Sequence, residues 1–477
     1  MGAVSQMPKR VTPVQRDQVL RLLSTGCDRD TIAATVGITP GQVSAIAAHV
    51  KMGTYDLPEV GRSLPVADDA EAGRDDAEEK RETTPNLLDF IRSKQPAATS
   101  RTEHNVNRLL IGTDAESGEQ VYWNPDPASG TANPHVLVIG ESGFGKTYTI
   151  TCLLAELAKR GVVPVVLDYG QGFAIESLPP EFSSAVSLID IHASKDGVDI
   201  NPLQIFPSDV LGPVNVAQRV ADTFARVYSK IGVQQHAVLR QAVIDAMQDV
   251  GIDANNPDSW GYDLPAFKNV HAKLEELAEH GNTSQAKAAS SVASHISTLF
   301  VFNTFRPTGR KLTWDEALAA KGSAFVIQLK GLEHSLEQAV TEFLLWNLIG
   351  YIESLGPGPL CCYVVLDEEH KLSFGRGSPV EKLLREGRKY GIGLILASQQ
   401  PEDFSQVAFA NTATKLVFQI SDEKSVVSRQ LHRKIRNTHS FADIYQVLTK
   451  LPRGWAYFVS ENVGQVVRIA SWTDRSF

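Results

Sequence analysis

A short apolar run, a glycine-rich turn and an amphipathic helix follow one another near residue 140. The run Val136–Ile139 is typical of a buried parallel strand, and apolar residues recur on one side of the helix that begins near Thr147. The sequence between them, Gly140-Glu141-Ser142-Gly143-Phe144-Gly145-Lys146-Thr147, fits the Walker A pattern in the strand-to-helix setting that this pattern requires. The stretch therefore predicts a nucleotide-binding loop in an α/β fold.

The residue types of this loop suit phosphate chemistry. Glycines let backbone N–H groups turn inward around phosphate oxygens, and the helix N-terminus adds its positive dipole end. Lys146 is expected to reach the β- and γ-phosphates of ATP, and the Thr147 hydroxyl to ligate Mg²⁺. The alternative is a glycine-rich turn that matches by chance. The predicted nucleotide-binding residues are Gly140, Glu141, Ser142, Gly143, Phe144, Gly145, Lys146, Thr147 and Tyr148.

Two later strand ends carry polar residues that complete such a site. An apolar run from Cys361 ends in Asp367 and Glu368, the Walker B arrangement. Asp367 is expected to organise the Mg²⁺ shell, and Glu368 to act as the general base that activates water. Glu369 is a possible substitute for Glu368. A strand over residues 391–398 ends at Gln399, a candidate sensor of the γ-phosphate; the alternative there is an ordinary turn before a proline.

Composition places limits on the partners. A formal net charge of -9 and a pI near 5.8 argue against coating nucleic acid through bulk charge, so any DNA contact must be local. No apolar run approaches the roughly 20 residues of a membrane span, and the N-terminus is too polar for a secretory signal. The four cysteines lack metal-ligand spacing. A cytoplasmic protein with reduced thiols and no membrane contact is expected.

Residues 1–55 predict a small all-α domain of three short helices. Asp28 is a candidate cap of the second helix, Gly37 turns the chain, and Thr39 and Pro40 open the third. The spacing of small and apolar residues is similar to a helix-turn-helix, although a three-helix module for protein contacts is the alternative. In the DNA-binding interpretation, the residues facing the major groove are Gln42, Ser44, Ala45 and His49.

The rest of the chain divides by composition. Residues 56–104 are acidic and poor in apolar side chains, which predicts a flexible linker. Residues 105–477 are expected to form the ATPase domain, opened by a hairpin over 109–123 that delivers the chain to the Walker A strand. A helical insertion is predicted at about 209–310, with helices over 216–231, 236–250, 264–280 and 284–302.

Three segments together carry a family resemblance. The Walker A run, the strand ending in Asp367-Glu368-Glu369-His370, and above all the segment 384–401 (Leu-Arg-Glu-Gly-Arg-Lys-Tyr-Gly-Ile-Gly-Leu-Ile-Leu-Ala-Ser-Gln-Gln-Pro) resemble the HerA–FtsK family of P-loop DNA motors, closest to the HerA type. The resemblance covers roughly residues 107–470. It implies a RecA-like fold, a hexameric homo-oligomeric ring with ATP between neighbours, DNA in the central pore and a nuclease partner.

The resemblance also implies an arginine from the adjacent subunit that stabilises charge on the γ-phosphate. Arg388 is the first candidate, Arg429 the second, and Arg385 lies in the same arginine-rich segment as Arg388. The sequence departs from the family in one respect: HerA-type proteins usually carry a small β-barrel before the core, and only the predicted hairpin stands in its place. That departure weakens the expectation of a nuclease partner.

These features together predict an ATP hydrolase that works as a DNA translocase or helicase-like motor, in DNA repair or anti-phage defence. A nucleotide-gated DNA-binding regulator is one alternative, in which the N-terminal helices bind a specific site and ATP controls assembly. A motor of the conjugation or secretion type is the other.

Overall fold

The structure is a computed structural model that divides into two units, Met1–Ser100 and Arg101–Phe477. It describes residues 13–24, 28–51, 108–126, 132–302, 304–306, 313–367, 375–421, 426–434, 440–460 and 463–475. The predicted acidic linker lies outside the described residues. Within the described residues, no helix combines the length and the apolar content that crossing a membrane requires.

The first unit contains three helices, α1 (Pro13–Ser24), α2 (Arg29–Val36) and α3 (Pro40–Lys51). The predicted cap is confirmed, because the Asp28 carboxylate accepts hydrogen bonds from the N–H groups of Asp30 and Thr31 at 3.0 and 3.1 Å. Gly37 ends α2 with φ at 69°, the left-handed conformation that glycine adopts without strain. A small core joins the helices through Val19, Leu20, Ile32, Ala33, Val36, Val43 and Ile46.

Eleven strands form one sheet in the described part of the second unit. They are β1 (Leu109–Asp114), β2 (Gln120–Trp123), β3 (Val136–Ile139), β4 (Val163–Asp168), β5 (Ser187–His192), β6 (Ser323–Gln328), β7 (Cys362–Asp367), β8 (Ile392–Ser398), β9 (Thr414–Val417), β10 (Trp455–Ser460) and β11 (Val463–Ile469). Their order across the sheet is β2-β1-β11-β10-β9-β3-β8-β7-β4-β6-β5.

The sheet has a parallel part and an antiparallel part. All neighbours from β9 through β3, β8, β7, β4 and β6 to β5 run parallel. The strands β10, β11, β1 and β2 add an antiparallel extension. The predicted hairpin is confirmed as β1 and β2. This hairpin lies at the edge of the sheet and not beside β3, because β11, β10 and β9 lie between β1 and β3.

Helices connect and cover these strands. Their bounds are α4 (Lys146–Lys159), α5 (Pro180–Ala185), α6 (Pro213–Val227), α7 (Val233–Asp249), α8 (Lys268–His280), α9 (Thr283–Val301), α10 (Trp314–Ala319), α11 (His334–Leu355), α12 (Pro379–Glu386), α13 (Gln406–Asn411), α14 (Val426–Lys434) and α15 (Phe441–Leu448). Short 3₁₀ turns occupy Ile175–Ser177, Pro257–Gly261, Gly387–Tyr390, Pro401–Asp403 and Trp472–Asp474.

Both faces of β3, β4, β6, β7 and β8 are buried, which explains why these strands are mainly apolar without alternation. In β3, Val136 and Val138 join the core that contains the apolar side of α4, whereas Leu137 and Ile139 join the core on the other face. The second core extends over α11 and the helices α6–α9. Those four helices lie within a few residues of their predicted positions.

An aromatic cluster fixes the four-helix lobe to α11. Phe224 of α6 lies edge-on to Phe343 of α11, with ring centroids 5.6 Å apart. Phe267, just before α8, packs against the same Phe343 ring at 5.4 Å. All three rings are buried, so the lobe and the sheet share one apolar core.

The helix that precedes β8 ends several residues before the strand begins. The α-helix stops at Glu386, and Gly387–Tyr390 form a 3₁₀ turn. A Cβ at Gly387 would lie 3.1 Å from the carbonyl oxygen of Ile392, a tight contact that a glycine avoids. Gly391 then adopts a φ of 75°, which directs the chain into the strand.

The three strands that carry the predicted site are held together behind it by one tyrosine. Tyr363 of β7 is fully buried, and its hydroxyl donates a 2.7 Å hydrogen bond to the carbonyl oxygen of Pro134, just before β3. Gly393 of β8 leaves the space that the Tyr363 ring fills. Next to it, His135 Nδ1 accepts from Leu394 N at 3.1 Å, and burial lowers the pKa of His135 to about 3, so this imidazole is neutral.

We expect Gly393→Ala to destabilise the protein by about 1–3 kcal/mol, because the added Cβ would overlap the Tyr363 ring in a core that has no free space. Thermal unfolding should show a lowered midpoint. Gly358→Ala is the matched control, since a Cβ there meets nothing within 4 Å. Equal midpoints for the two variants would contradict this packing.

Candidate functional site

The loop after β3 adopts the conformation that its glycines allow. Gly143 and Gly145 have φ angles of 82° and 115°, which are strained for any residue with a side chain. At Gly140 a Cβ would lie 2.5 Å from the Cβ of Phe418, so β3 can leave the sheet only through a glycine at this point. Helix α4 begins at Lys146 and directs its N-terminal N–H groups towards the loop.

Lys146 lies under this loop and is 8% exposed. Its ammonium donates hydrogen bonds to the carbonyl oxygens of Gly140 at 2.6 Å and Glu141 at 3.0 Å. Burial lowers the pKa of Lys146, and the negative charges of Asp367 and Glu141 oppose that shift. The loop therefore holds a cation next to the backbone N–H groups that would surround an anion.

A cavity of about 620 Å³ opens between this loop and the ends of the neighbouring strands. Because carboxyl ends of parallel strands meet at one edge of a sheet, residues that follow β3, β4, β7 and β8 are brought together here. The cavity is lined by Ser142, Gly143, Gly145, Lys146, Thr147, Tyr148, Gly170, Gly172, Asp367, Ser398, Gln399, Gln400 and Asp403.

The Thr147 hydroxyl and the Asp367 carboxylate flank one space in this cavity. A Cβ added at Gly172 would lie 4.0 Å from Thr147 Oγ1 and 3.9 Å from Asp367 Oδ2. Gly172 leaves this space open, and the oxygen atoms of Thr147 and Asp367 lie on either side of it. Mg²⁺ in proteins is usually bound by one or two protein oxygens and keeps several waters, so a hydrated Mg²⁺ fits here. The residues present therefore suit the ion that the sequence predicts.

The wall formed by Gly170 and Gly172 was not predicted. It belongs to the turn after β4, where the buried Asp168 carboxylate accepts hydrogen bonds from Gly170 N at 3.0 Å and Phe173 N at 2.9 Å. Gln171 has a φ of 68°, rare for a residue with a side chain, and its amide oxygen accepts from Lys330 Nζ at 2.9 Å. The signal in the sequence was a carboxylate and two glycines directly after a buried strand.

The other unpredicted wall follows β8. The Ser398 hydroxyl donates to the carboxylate of Asp403, and both residues line the cavity beside Gln399. The 3₁₀ turn Pro401–Asp403 brings that carboxylate back to the strand end. The sequence carries only a weak signal for this wall, because an acidic residue after a proline is common in surface turns.

Glu368, the predicted general base, and its substitute Glu369 lie outside the described residues. None of the predicted arginines is among the lining residues described. Arg388 precedes β8 at the opposite sheet edge and donates to the carbonyl oxygen of Ala132. Arg385 forms an ion pair with Glu381 at 2.9 Å. Arg429 is exposed on α14, and a role of any of the three across a subunit boundary stays a prediction.

A different arginine lies beside the loop within the same chain. The Arg453 guanidinium has Nη2 3.2 Å from the position that a Cβ of Gly143 would occupy. Gly454 N donates a 3.1 Å hydrogen bond to the carbonyl oxygen of Phe144, which fixes this segment against the loop. Sequence reasoning missed Arg453, because the antiparallel strands that return the chain to this point carry no motif.

The predicted DNA-facing residues of the first unit occupy α3. Gln42 is partly buried, and its amide oxygen accepts from Thr39 N at 2.9 Å, while Thr39 Oγ1 accepts from Gln42 N at 3.3 Å. This is a capping box, so the Gln42 side chain supports the start of the helix. Ser44 is exposed and donates to the carbonyl oxygen of Pro40 at 3.1 Å. The side chains of Ala45 and His49 lie outside the described part, and DNA binding by α3 stays a prediction.

Comparisons with known proteins agree with this architecture. Residues 128–348 match the family model described as Helicase HerA, central domain. The structure of VirB4 from Thermoanaerobacter pseudethanolicus is similar with a TM-score of 0.61 and 17% sequence identity, covering 76% of this chain and 96% of that chain. No curated protein matches the chain.

Two structures of the bacterial conjugative coupling protein TrwB are also similar, one in complex with sulphate and one with the non-hydrolysable ATP analogue ADPNP. Each has a TM-score of 0.50 and 17% identity, and covers 72% of this chain and 88% of that chain. At this identity the similarity shows a shared fold, the RecA-like α/β fold that the sequence predicts. Residues 128–348 therefore match the HerA central-domain family, and the second unit has the fold of the RecA-like P-loop ATPases.

Proposed function

We propose that this chain is an ATP-driven DNA translocase or helicase-like motor that works as a hexameric ring. The observation that carries the proposal is the meeting of the Walker A loop, Asp367 and Gln399 around one cavity of a HerA-type ATPase. A polar residue at the end of β8, between the strands of the loop and of Asp367, is positioned to respond to the γ-phosphate. TrwB, which shares this fold, is known in complex with an ATP analogue, and this supports nucleotide binding by the fold.

Each residue has a defined part in this proposal. Lys146 exchanges its two carbonyl partners for β- and γ-phosphate oxygens, and an anion there counteracts the effect of burial on its pKa. Thr147 and Asp367 hold Mg²⁺ directly or through water, and this ion supplies charge neutralisation of the phosphates. Glu368 accepts the proton of the attacking water, and Gln399 orients that water or the γ-phosphate.

An arginine of a neighbouring subunit completes the site in this proposal. Arg388, Arg385 and Arg429 do not line the cavity of their own chain, as far as the described residues show, which suits a contribution across an interface. Stabilisation of charge that develops on the γ-phosphate is a large catalytic term. Hydrolysis then requires neighbours, and the assembly state of the ring controls ATP turnover.

A DNA motor of the conjugation type is a second candidate. Its support is the fold shared with TrwB, a bacterial conjugative coupling protein. DNA is the partner in both candidates. A nuclease partner, with a role in DNA repair or anti-phage defence, is part of the first candidate only and rests on the HerA resemblance.

We expect Lys146→Ala to lower ATP turnover by about 100-fold or more, because the variant lacks the cation that contacts the transferred phosphoryl group. We also expect duplex DNA to stimulate wild-type turnover strongly, and the stimulation to survive deletion of residues 1–55. Steady-state ATPase rates with and without DNA measure both. If DNA leaves the ATP turnover unchanged and the deletion abolishes site-specific DNA binding, the result would favour a nucleotide-gated DNA-binding regulator and would contradict the proposed motor.

We expect Gly172→Val to lower Mg²⁺-dependent ATP turnover at least about tenfold, since its methyl groups would occupy the space between Thr147 and Asp367. Gly261→Val is the matched control, because its Cβ meets nothing within 4 Å. Thermal unfolding checks that both variants fold. Wild-type turnover by a folded Gly172→Val protein would show that this space is not used.

We expect equal mixtures of Lys146→Ala and Arg388→Ala subunits to hydrolyse ATP faster than either variant alone. In a mixed ring, some sites combine an intact Lys146 from one subunit with an intact Arg388 from its neighbour. The same mixture with Arg429→Ala tests the second candidate arginine. A mixture no faster than the mean of its parts, under conditions in which subunits exchange, would contradict action of that arginine across the interface.

A further inference from the structure

Tyr148, the last residue of the predicted nucleotide-binding sequence, presents an aromatic ring to the cavity. It follows Thr147 directly in the first turn of α4. Its side chain is 39% exposed and lines the cavity. Among the lining residues that the structure describes, it is the only aromatic one. An exposed aromatic face in an otherwise polar cavity is a surface on which a planar ligand group can stack.

A backbone hydrogen bond fixes the position of this ring. Trp472 N donates to the Tyr148 hydroxyl at 2.7 Å. Trp472 begins the 3₁₀ turn Trp472–Asp474, in which the Asp474 carboxylate accepts from Ser471 N at 2.8 Å and from the Ser471 hydroxyl at 2.7 Å. The indole of Trp472 packs edge-on to Phe182, with centroids 6.4 Å apart. The turn that holds Tyr148 is therefore itself ordered by local bonds and packing.

The same turn is attached to α4 at a second point. The Arg475 side chain is fully buried, forms an ion pair with Glu156 of α4 and donates to the carbonyl oxygen of Leu110 at 2.6 Å. Glu156 lies about two helical turns after Tyr148. Two attachments along one helix leave the Tyr148 ring little freedom, so a ligand that stacks on it does not need to order it first.

The order of the binding residues along the loop places the ligand. In a loop of this pattern the lysine contacts the β- and γ-phosphates, and the hydroxyl that follows it contacts Mg²⁺. The phosphate chain is therefore directed towards Asp367 and Gln399. A nucleotide bound in this way would leave its nucleoside near the start of α4, where Tyr148 is the next residue.

We propose that Tyr148 is the base-binding residue of this ATPase: its exposed face stacks on the nucleobase of the bound nucleoside triphosphate, and the turn Trp472–Asp474 holds the ring in place. This inference rests on the proposed function, because it requires a nucleotide on the Walker A loop. Every nucleobase has an aromatic face, so stacking on Tyr148 increases affinity without selecting one base over another.

The test compares ATP with inorganic tripolyphosphate, which has the phosphate charges but no base, in the presence of Mg²⁺. Isothermal titration calorimetry on the full chain should show that Tyr148→Ala weakens ATP binding by between about 5-fold and 150-fold. Tripolyphosphate binding should change by less than about twofold. Tyr148→Phe keeps the ring but loses the bond from Trp472, so its affinity for ATP should lie between those of the wild type and Tyr148→Ala.

Tyr122→Ala is the matched control, because Tyr122 is 44% exposed and lies on the edge strand β2. It should bind both ligands as the wild type does. Retained tripolyphosphate binding shows that the Tyr148 variants are folded. Unchanged ATP affinity in Tyr148→Ala, or equal losses for ATP and tripolyphosphate, would overturn the base-binding role while the nucleotide site stands. A wild-type protein that binds neither ligand would overturn the proposed function itself.

Discussion

The parallel pairing of β3, β8 and β7 is the constraint on which the site depends. Ile139 pairs with Ser398, and Asp367 pairs with Ala397, so the three strands end at nearly the same level. Because each strand continues into a polar segment, the loop after β3, the carboxylate of Asp367 and the amide of Gln399 must meet at one edge. The chemistry of the cavity is therefore a consequence of strand register rather than of any single motif.

The C-terminal part of the chain supports the phosphate-binding loop from behind and from one side. Phe418, just after β9, packs where Gly140 leaves the sheet, and Gly454 bonds to the backbone of Phe144. The turn that begins at Trp472 bonds to Tyr148. The C-terminal part of the chain therefore does more than lengthen the sheet, since it contacts the loop and the start of α4 at three points that are far away in sequence.

The sequence predicted those parts of the fold that depend on a local pattern of apolar residues. Apolar runs identified β3, β7 and β8, and helical periodicity identified the lobe over α6–α9. It did not identify β5, whose residues are only partly buried, or β10 and β11, which form a hairpin whose outer neighbours are β9 and the distant β1. Arg453 and the wall at Gly172 were missed for the same physical reason: Arg453 reaches the loop, and Gly172 reaches the cavity, through tertiary contacts that leave no periodic signal.

The central claim is that Asp367 and Thr147 hold Mg²⁺ beside a nucleotide on the Walker A loop. Its most direct test is the affinity for ATP of the wild type and of Asp367→Asn, each with and without Mg²⁺. Mg²⁺ should tighten ATP binding by the wild type, and Asp367→Asn should lose most of that gain while it binds metal-free ATP at least as well, because one negative charge is gone. A variant that keeps the full gain from Mg²⁺ would contradict the account.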